Sequence, residues 1–421
     1  MPCPYAPMIM NIYLIAIIAA YFIVITFGYW LDYLNLAHLK KYGAVIPPEF
    51  EGQIDQALLN KTIAYNVEHT RFGFIASVVN NIIFLVFIFY LLNVYNSWIL
   101  SLHFSFIVTG LMFFLLLSYA DTVISMPFTL YSTFRIENRY GFNTMTFKLW
   151  ITDAIKSLII STILMGLLIA AALFLIIKSP DFWWFWVWCF FLVFSIFMMY
   201  ISPYVIEPLF HKFTPVDDEE LETGIRALMQ KAGIKVSRVF KVDASKRTKH
   251  TNAYFTGIGK VKRIVLYDTL LQKMDRDEIL SVLAHEAGHW KKKHVLKRIA
   301  VSEGIGFVVI YAAYRLLQSD ILITLFHIEQ SSLFAKLVIL GFIGSIVSFP
   351  FSPLFHYFSR RHEIEADRYS YEMTGRAGSM ISSLVKLSKD NLSNLHPHPL
   401  YALFHFSHPP VLERIRRIKD W

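Results

Sequence analysis

Two histidines and a glutamate in the segment His285-Glu286-Ala287-Gly288-His289 have the types and spacing needed for metal-assisted hydrolysis. The histidines are four positions apart, so on a helix both imidazoles lie on one face, about 40° from each other. Both nitrogens can then reach one Zn²⁺ ion at roughly 2.0–2.1 Å. Glu286 is poorly directed for ligation but can act as general base toward a water molecule. The alternative, a solvated helix that carries these residues among lysines, stays open on this pattern alone.

A catalytic zinc ion needs a third protein ligand and an open fourth position. We expect Glu363, on a second helix after the last membrane span, to be that ligand. Asp367, one turn further, is expected to accept a hydrogen bond from a ligand imidazole. Glu365 points to the opposite side and is interpreted as an exposed helix carboxylate. Three other histidines are interpreted as surface or packing residues: His294, His356 and His362.

Helices and strands must position these residues. Residues 278–293 have helical character, and Asp277 is the predicted N-cap. Gly288 in mid-helix costs roughly 1 kcal/mol relative to alanine, which predicts that another segment approaches closely there. Residues 252–257 and 263–267 alternate like two strands around a Gly/Lys turn. An edge strand beside the metal would bind an extended peptide by β-augmentation.

The composition requires lipid as solvent for much of the chain. Of 421 residues, 55% are hydrophobic, 16% aromatic and only 17% charged, with a mean hydropathy of +0.47, whereas soluble domains carry about 25% charged residues. The net charge of +9 does not indicate nucleic acid, because basic residues of membrane proteins gather in cytoplasmic segments. Cys3 and Cys189 are far apart, which excludes a disulfide framework or a thiolate zinc site.

Seven membrane spans are predicted from apolar runs of about 20 residues. They cover residues 9–31, 74–98, 99–126, 151–177, 182–204, 299–317 and 333–355. The first is predicted to be retained rather than cleaved, because Met1 to Met8 carry no charge. The end, Ile418 to Trp421, is not a prenylation motif. Asp121 and Glu303 fall within or beside apolar runs, where they permit a water-filled cavity or lie at a span end.

Loop charges predict the orientation. Basic residues concentrate in the first and third connections: Lys40, Lys41, Lys61, Arg71, Arg135, Arg139 and Lys148. The N-terminus is therefore predicted outside or in a lumen, with residues 210–298 and the tail after 355 in the cytoplasm. Both polar segments then share one side. We expect four regions: a membrane domain 1–204, a catalytic domain 205–298, two spans 299–357, and a C-terminal helical segment 358–421 with the third ligand.

Several longer motifs carry a resemblance to a known family. They are SKRTKHTNAYFTG (245–257), HEAGHW (285–290), SRRHEIEAD (359–367) and FSHPPVLER (406–414), with RIENRYGFN (135–143) and EPLFHKFTP (207–215). Together they resemble the type I CAAX prenyl proteases, integral-membrane zinc metalloendopeptidases that mature yeast a-factor and prelamin A. The resemblance covers nearly the whole chain.

The resemblance implies a mainly α, multi-pass fold in which seven helices form a barrel around an aqueous chamber. A zincin-like α/β catalytic domain would cap its cytoplasmic side. It implies one Zn²⁺ per chain, bound by His285, His289 and Glu363 as in gluzincins, with Glu286 activating water. Asn252, Ala253, Tyr254 and Phe255 would contact substrate. Among the catalytic residues it adds Arg414 near the metal and His408, our candidate for stabilising the oxyanion; a packing role for His408 before Pro409 stays open.

Three functions remain open. The first is a CAAX-type endopeptidase that cuts prenylated chains near the C-terminus. The second is a broader membrane quality-control protease, as in the related HtpX group. The third is a transporter or channel with an incidental HExxH sequence. Residues 268–278 lack the long lysine-rich insertion of some eukaryotic members, which indicates a compact and prokaryotic member. The expected membrane is the bacterial inner membrane or the endoplasmic reticulum, depending on the source.

Overall fold

The computed structural model describes the backbone of residues 6–256 and 261–421 and the side chains of residues 12–256 and 263–421. The predicted Gly/Lys turn at 257–260, Cys3 and the uncharged start of the chain lie outside the described residues. The structure is 78% helical, which confirms the predicted mainly α class.

Within the described residues, seven helical units are long and apolar enough to cross a membrane. The first five contain α1 (Ala6–Tyr42), α2 (Gln56–Val86), α3 (Leu92–Ser101), α4 (Phe106–Tyr131), α5 (Asn138–Tyr140), α6 (Phe147–Lys178), α7 (Trp183–Ile201) and α8 (Glu207–Phe210). Short π-helical segments join α2 to α3, α4 to α5 and α7 to α8 at Phe87–Leu91, Ser132–Glu137 and Ser202–Ile206. The predicted number of spans is confirmed.

The predicted boundary between the second and third spans is wrong. Helix α3 continues to Ser101, and the chain turns only at residues 102–105, where His103 has a positive φ of 54°. The apolar run from 74 to 126 contains no strong break in hydropathy. The turn instead depends on backbone conformation, which periodicity does not report.

Close helix contact in the membrane domain depends on a small residue. An added Cβ on Gly110 in α4 would lie 2.3 Å from Leu173 Cδ1 and 2.7 Å from Phe334 Cε1. In lipid, helices gain stability mainly by close van der Waals packing, and small residues at the contact permit it. Gly110 therefore lets α4 pack tightly against its neighbours.

The polar domain is a four-stranded sheet covered by helices. Its elements are β1 (Phe213–Pro215), α9 (Glu219–Lys231), β2 (Lys235–Val242), β3 (Ala253–Thr256), β4 (Val261–Tyr267), α10 (Asp268–Lys273) and α11 (Arg276–Lys291). The strand order is β1-β2-β4-β3, with β2 and β4 parallel and the other pairs antiparallel. Ile264 and Leu266 point from β4 into a core shared with α9 and α11. The predicted pair of strands is thus present, with β3 at the edge.

The last two spans connect directly to the polar domain. They contain α12 (His294–Leu317), followed by the short α13 (Ile321–Leu325), and then α14 (Leu333–Ser348) and α15 (Ser352–Thr374). A 3₁₀ turn at Phe349–Phe351 joins α14 to α15, so one helical unit runs from Leu333 to Thr374. The predicted region boundaries after 204, 298 and 357 therefore fall inside helical units. Glu363 lies on an extension of the seventh span rather than on a separate helix.

Three helices complete the chain: α16 (Ala377–Asp390), α17 (Pro399–His405) and α18 (Val411–Lys419). The apolar faces of α16 and α18 share a core with the connection between the first two spans, in which Phe50, Leu384 and Ile415 are buried. Helix α17 packs against α15 and α1. The C-terminal helices are thus anchored to both halves of the chain.

Candidate metal centre

The helix that carries both histidines, α11, begins with reciprocal hydrogen bonds between Asp275 and Glu278. The Glu278 N–H donates to Asp275 Oδ1 at 2.9 Å, and the Asp275 N–H donates to Glu278 Oε2 at 2.8 Å. This capping box satisfies backbone N–H groups that a helix leaves free at its start. The predicted cap, Asp277, is wrong: it lies in the first turn and pairs with Arg376. The Asp-x-x-Glu spacing of a capping box was the signal in the sequence.

The structure brings the three predicted metal ligands together. The Nε2 atoms of His285 and His289 lie 3.2 Å apart. Glu363 Oε2 lies 3.4 Å from His285 Nε2, and Glu363 Oε1 lies 3.3 Å from His289 Nε2. The histidines come from α11, which precedes the sixth span, and the glutamate comes from α15, which belongs to the seventh helical unit.

These distances fit a zinc ion. Tetrahedral ligands at roughly 2.0–2.1 Å from zinc lie about 3.3–3.4 Å from one another. Two imidazole nitrogens and a carboxylate also form the ligand chemistry that catalytic zinc prefers. Glu363 Oε2 is buried and makes no hydrogen bond of good geometry among the described residues. Such a group is costly to bury unless an interaction compensates it, and a bound cation would do so.

Gly288 allows α11 and α15, the two helices that carry the predicted ligands, to approach each other. A Cβ at this position would lie 3.0 Å from Ala366 Cα and 3.1 Å from Tyr369 Cβ. The expected close approach is confirmed. Two turns earlier in α11, the Ser281 carbonyl accepts a hydrogen bond from Ser370 Oγ at 2.7 Å. The contact therefore sets the spacing between Glu363 and the histidines.

Asp367 lies behind His285, as the sequence predicts. Its Oδ1 is 2.7 Å from His285 Nδ1, and Arg414 donates to both of its carboxylate oxygens, at 2.6 and 2.8 Å. Burial disfavours a charged imidazole, but Asp367 and Glu363 offset this and raise the pKa of His285 to about 9 when no cation competes. Arg414 is therefore close to the site through Asp367 and not through a contact with the metal ligands.

Two further predicted residues lie at the site. His408 Nδ1 is 2.7 Å from Glu363 Oε2, and its side chain is 62% exposed. Glu286 is half-buried, and no hydrogen-bond or ion-pair partner of its side chain lies in the part of the chain that the structure describes. Both groups are thus available to a substrate.

His294 is a contact of the site that the sequence analysis missed. Its side chain is buried, and its Nδ1 lies 3.0 Å from His289 Nδ1. Its Nε2 lies 3.1 Å from Glu365 Oε2, so Glu365 is not simply an exposed carboxylate. His362 stacks on His294 with ring centroids 4.1 Å apart. The burial of His294 excludes the surface alternative, and its contact with His289 was not predicted. The signal in the sequence was its position directly after the HExxH helix.

The edge strand β3 packs against α11 beside the metal ligands. Asn252 is exposed, and its carbonyl accepts from the Tyr267 N–H at 3.1 Å. Because successive residues direct their backbone groups to opposite sides of a strand, Ala253 and Phe255 direct theirs away from β4. No described strand pairs with this edge. The side chain of Tyr254 is bonded elsewhere: its hydroxyl donates to Glu207 Oε2 at 2.7 Å. Burial and the Glu207 carboxylate raise the pKa of the Tyr254 hydroxyl.

Comparisons with known proteins agree with this geometry. Residues 35–212 match the model of the CAAX prenyl protease N-terminal region with five membrane helices, and residues 215–421 match peptidase family M48. The chain belongs to peptidase family M48. CAAX prenyl protease 1 of Saccharomyces cerevisiae is 34% identical over 91% of both chains. The CAAX prenyl protease 1 homolog of Arabidopsis thaliana is 33% identical over 93% of this chain and 94% of its own.

The fold of this M48 chain also has a solved counterpart. The crystal structure of S. mikatae Ste24p matches it with a TM-score of 0.87 at 30% identity, over 97% of this chain and 98% of that one. The predicted multi-pass fold, with seven helices and a chamber, is confirmed. M48 membership makes the chain an integral-membrane metalloendopeptidase and implies a metal, usually zinc. It decides against the transporter alternative.

Proposed function

We propose that this M48 peptidase holds one zinc ion between His285, His289 and Glu363 and cuts prenylated polypeptides close to their C-terminus. The observation that carries the proposal is the convergence of these three ligands beside the open edge of β3. An extended peptide added to this edge would present successive carbonyls along α11. CAAX prenyl protease relatives at 33–34% identity support the substrate class.

The roles of the chain's own residues follow from their positions. Glu286, which has no other described partner, takes a proton from the attacking water and passes it to the leaving nitrogen. His408, exposed beside Glu363, stabilises the oxyanion of the tetrahedral intermediate. When bound, zinc supplies Lewis-acid polarisation and lowers the pKa of water to about 7. Arg414 and Asp367 keep His285 in place.

The substrate strand uses backbone groups more than side chains. The Ala253 carbonyl and both backbone groups of Phe255 face the open edge, whereas the Ala253 N–H is already bonded to Asn252 Oδ1 at 2.8 Å. Asn252 is exposed directly before β3, at the end of the edge along which the peptide would pair. Tyr254 contributes indirectly, because its side chain is bonded to Glu207.

We also propose that the N-terminus is outside or lumenal and the metal site cytoplasmic. The basic connections between the first and second and the third and fourth spans support this orientation. A cysteine placed in the exposed loop after α3, in a chain without its own cysteines, would react with an impermeant maleimide only from the non-cytoplasmic side. The opposite labelling pattern would contradict the orientation.

The deciding experiment compares farnesylated and unfarnesylated forms of one C-terminal peptide as substrates for the purified protein. We expect phenanthroline-sensitive cleavage within the last few residues, faster on the farnesylated form, with products identified by mass spectrometry. Equal rates on both forms would favour the broader quality-control function. Cleavage that survives chelation would contradict the zinc mechanism itself.

A further inference from the structure

A buried imidazole lies directly behind the ligand His289 and has no part in the mechanism above. We propose that Glu365 and His294 order the protons on this pair of rings, so that His289 keeps a lone pair on Nε2 for the metal. The contacts are 3.1 Å from Glu365 Oε2 to His294 Nε2 and 3.0 Å from His294 Nδ1 to His289 Nδ1. The inference rests on the proposed zinc site and assigns His294 and Glu365 as positioning residues.

The contact between the two histidines depends on a break in the helix. In a continuous helix, residues five positions apart lie about 140° apart around the axis, so His289 and His294 would not meet. Helix α11 ends at Lys291 and α12 begins at His294. Between them Lys293 has φ 57° and ψ 34°, the left-handed conformation that non-glycine residues rarely adopt. This joint folds His294 back onto His289.

Proton positions follow from what each group can donate. An ionised Glu365 only accepts, so the proton of a neutral His294 belongs on Nε2. His294 Nδ1 then has a lone pair and accepts the proton on His289 Nδ1. His289 Nε2 is consequently deprotonated and faces His285 Nε2 at 3.2 Å and Glu363 Oε1 at 3.3 Å. The wrong tautomer of His289 would direct an N–H at the cation.

Helix α15 holds both ends of this arrangement. It supplies Glu363 to the metal and, half a turn on, Glu365 to His294. His362, the residue before Glu363 in the same helix, stacks on His294 with an interplanar angle of 10°. The His294 side chain is 2% exposed, so water does not compete for its nitrogens. Each zinc-binding histidine thus has a carboxylate behind it: Asp367 directly for His285, and Glu365 through His294 for His289.

The test uses two substitutions that separate the nitrogens of His294. In H294N the amide oxygen replaces Nδ1 as an acceptor toward His289; in H294Q the amide reaches the Nε2 position and leaves His289 without its acceptor. E365A removes the carboxylate. The matched control is E372Q, which removes an exposed charge from the same helix. Among the described residues, Glu372 forms an ion pair with Arg368 at 3.1 Å. Zinc affinity of full-length protein is measured by chelator competition, with the visible spectrum of the Co²⁺ form.

We expect H294Q and E365A to lose about 10- to 100-fold in zinc affinity, the usual effect of removing a partner of a metal-binding histidine. Their Co²⁺ spectra should also shift, whereas H294N and E372Q retain most of the affinity. Wild-type zinc affinity and Co²⁺ spectra in H294Q and E365A would contradict the positioning role of His294 and Glu365 while leaving the proposed function intact. Equal losses in H294N and H294Q would reduce His294 to a packing residue. If the wild-type protein bound no zinc, both the proposed metal site and the positioning role of His294 and Glu365 would be contradicted.

Discussion

Arg414 donates two hydrogen bonds to Asp367, from Nε to Oδ2 at 2.8 Å and from Nη2 to Oδ1 at 2.6 Å. The same Oδ1 atom lies 2.7 Å from His285 Nδ1. A residue of the last helix is therefore connected to His285, a predicted metal ligand, through one carboxylate. The planar guanidinium matches the two oxygens, which restricts the orientation of Asp367 and, through it, the imidazole.

This connection predicts that R414K weakens metal binding. A lysine keeps the charge but cannot make the paired hydrogen bonds, so Asp367 loses its orientation and zinc affinity should fall by about 10- to 100-fold. The measurement is chelator competition on the purified protein. R416A is the control, because Arg416 lies on the same helix and its exposed side chain pairs with Glu49 rather than with Asp367. Unchanged affinity in R414K would contradict a role for Arg414 in the site.

The E286Q variant should separate metal binding from catalysis. Glutamine has nearly the shape of glutamate but cannot accept the proton of the attacking water, and general bases contribute about 10²–10⁴-fold to rates. We expect kcat to fall by at least that lower factor while elemental analysis still finds zinc in the protein. Near-native turnover of E286Q would show that another group acts as the general base.

The close approach at Gly288 predicts that G288A damages the metal site despite the better helix propensity of alanine. Its Cβ would press on the Ala366 backbone at 3.0 Å, and crowding a packed contact typically costs 1–3 kcal/mol, against about 1 kcal/mol gained in propensity. Ala366 adjoins Glu363 by one helical turn, so zinc affinity should fall with stability.

Gly224 provides a matched control for that substitution. It lies half-buried in α9 of the polar domain, where a Cβ would meet Leu280 Cδ1 at an ordinary 3.6 Å. We therefore expect G224A to raise the thermal unfolding temperature and to leave zinc affinity unchanged. If G288A and G224A had the same unfolding temperature and zinc affinity, α11 and α15 could separate without a loss of stability.

His250 predicts a pH dependence of stability away from the metal. Its ring lies between Asn391 Oδ1 at 2.7 Å and Glu137 Oε2 at 3.4 Å, and the Glu137 carboxylate raises its pKa despite burial. A histidine whose pKa is raised in the folded state stabilises the protein. This stabilisation is fully present below the unfolded-state pKa of about 6.5, and it is lost as the pH rises through the folded-state pKa. The unfolding temperature of wild type should exceed that of H250Q at pH 6, by a margin that shrinks toward pH 9. A constant margin would mean that His250 contributes only packing.

Local patterns in the sequence were sufficient for the membrane character and for the three residues that converge at the candidate metal centre. Apolar runs long enough to cross a bilayer depend on composition alone, and the i, i+4 spacing of His285 and His289 depends only on helix geometry. Glu363 and Asp367 were predicted in the same way, as neighbours on one helix face. The alternation of two short segments likewise predicted the strand pair β3 and β4, in which β3 is the outer strand.

Tertiary structure decided the relationships that no periodic pattern records. The pairing of Arg414 with Asp367 joins residues 47 positions apart, and only the resemblance to a family, not their spacing, brought Arg414 to attention. The contact of His294 with His289 required a left-handed lysine between two helices, a backbone state for which side-chain patterns give no signal. Spacing on a helix shows which residues can share a face; the packing of α11 on α15 determines what that face meets.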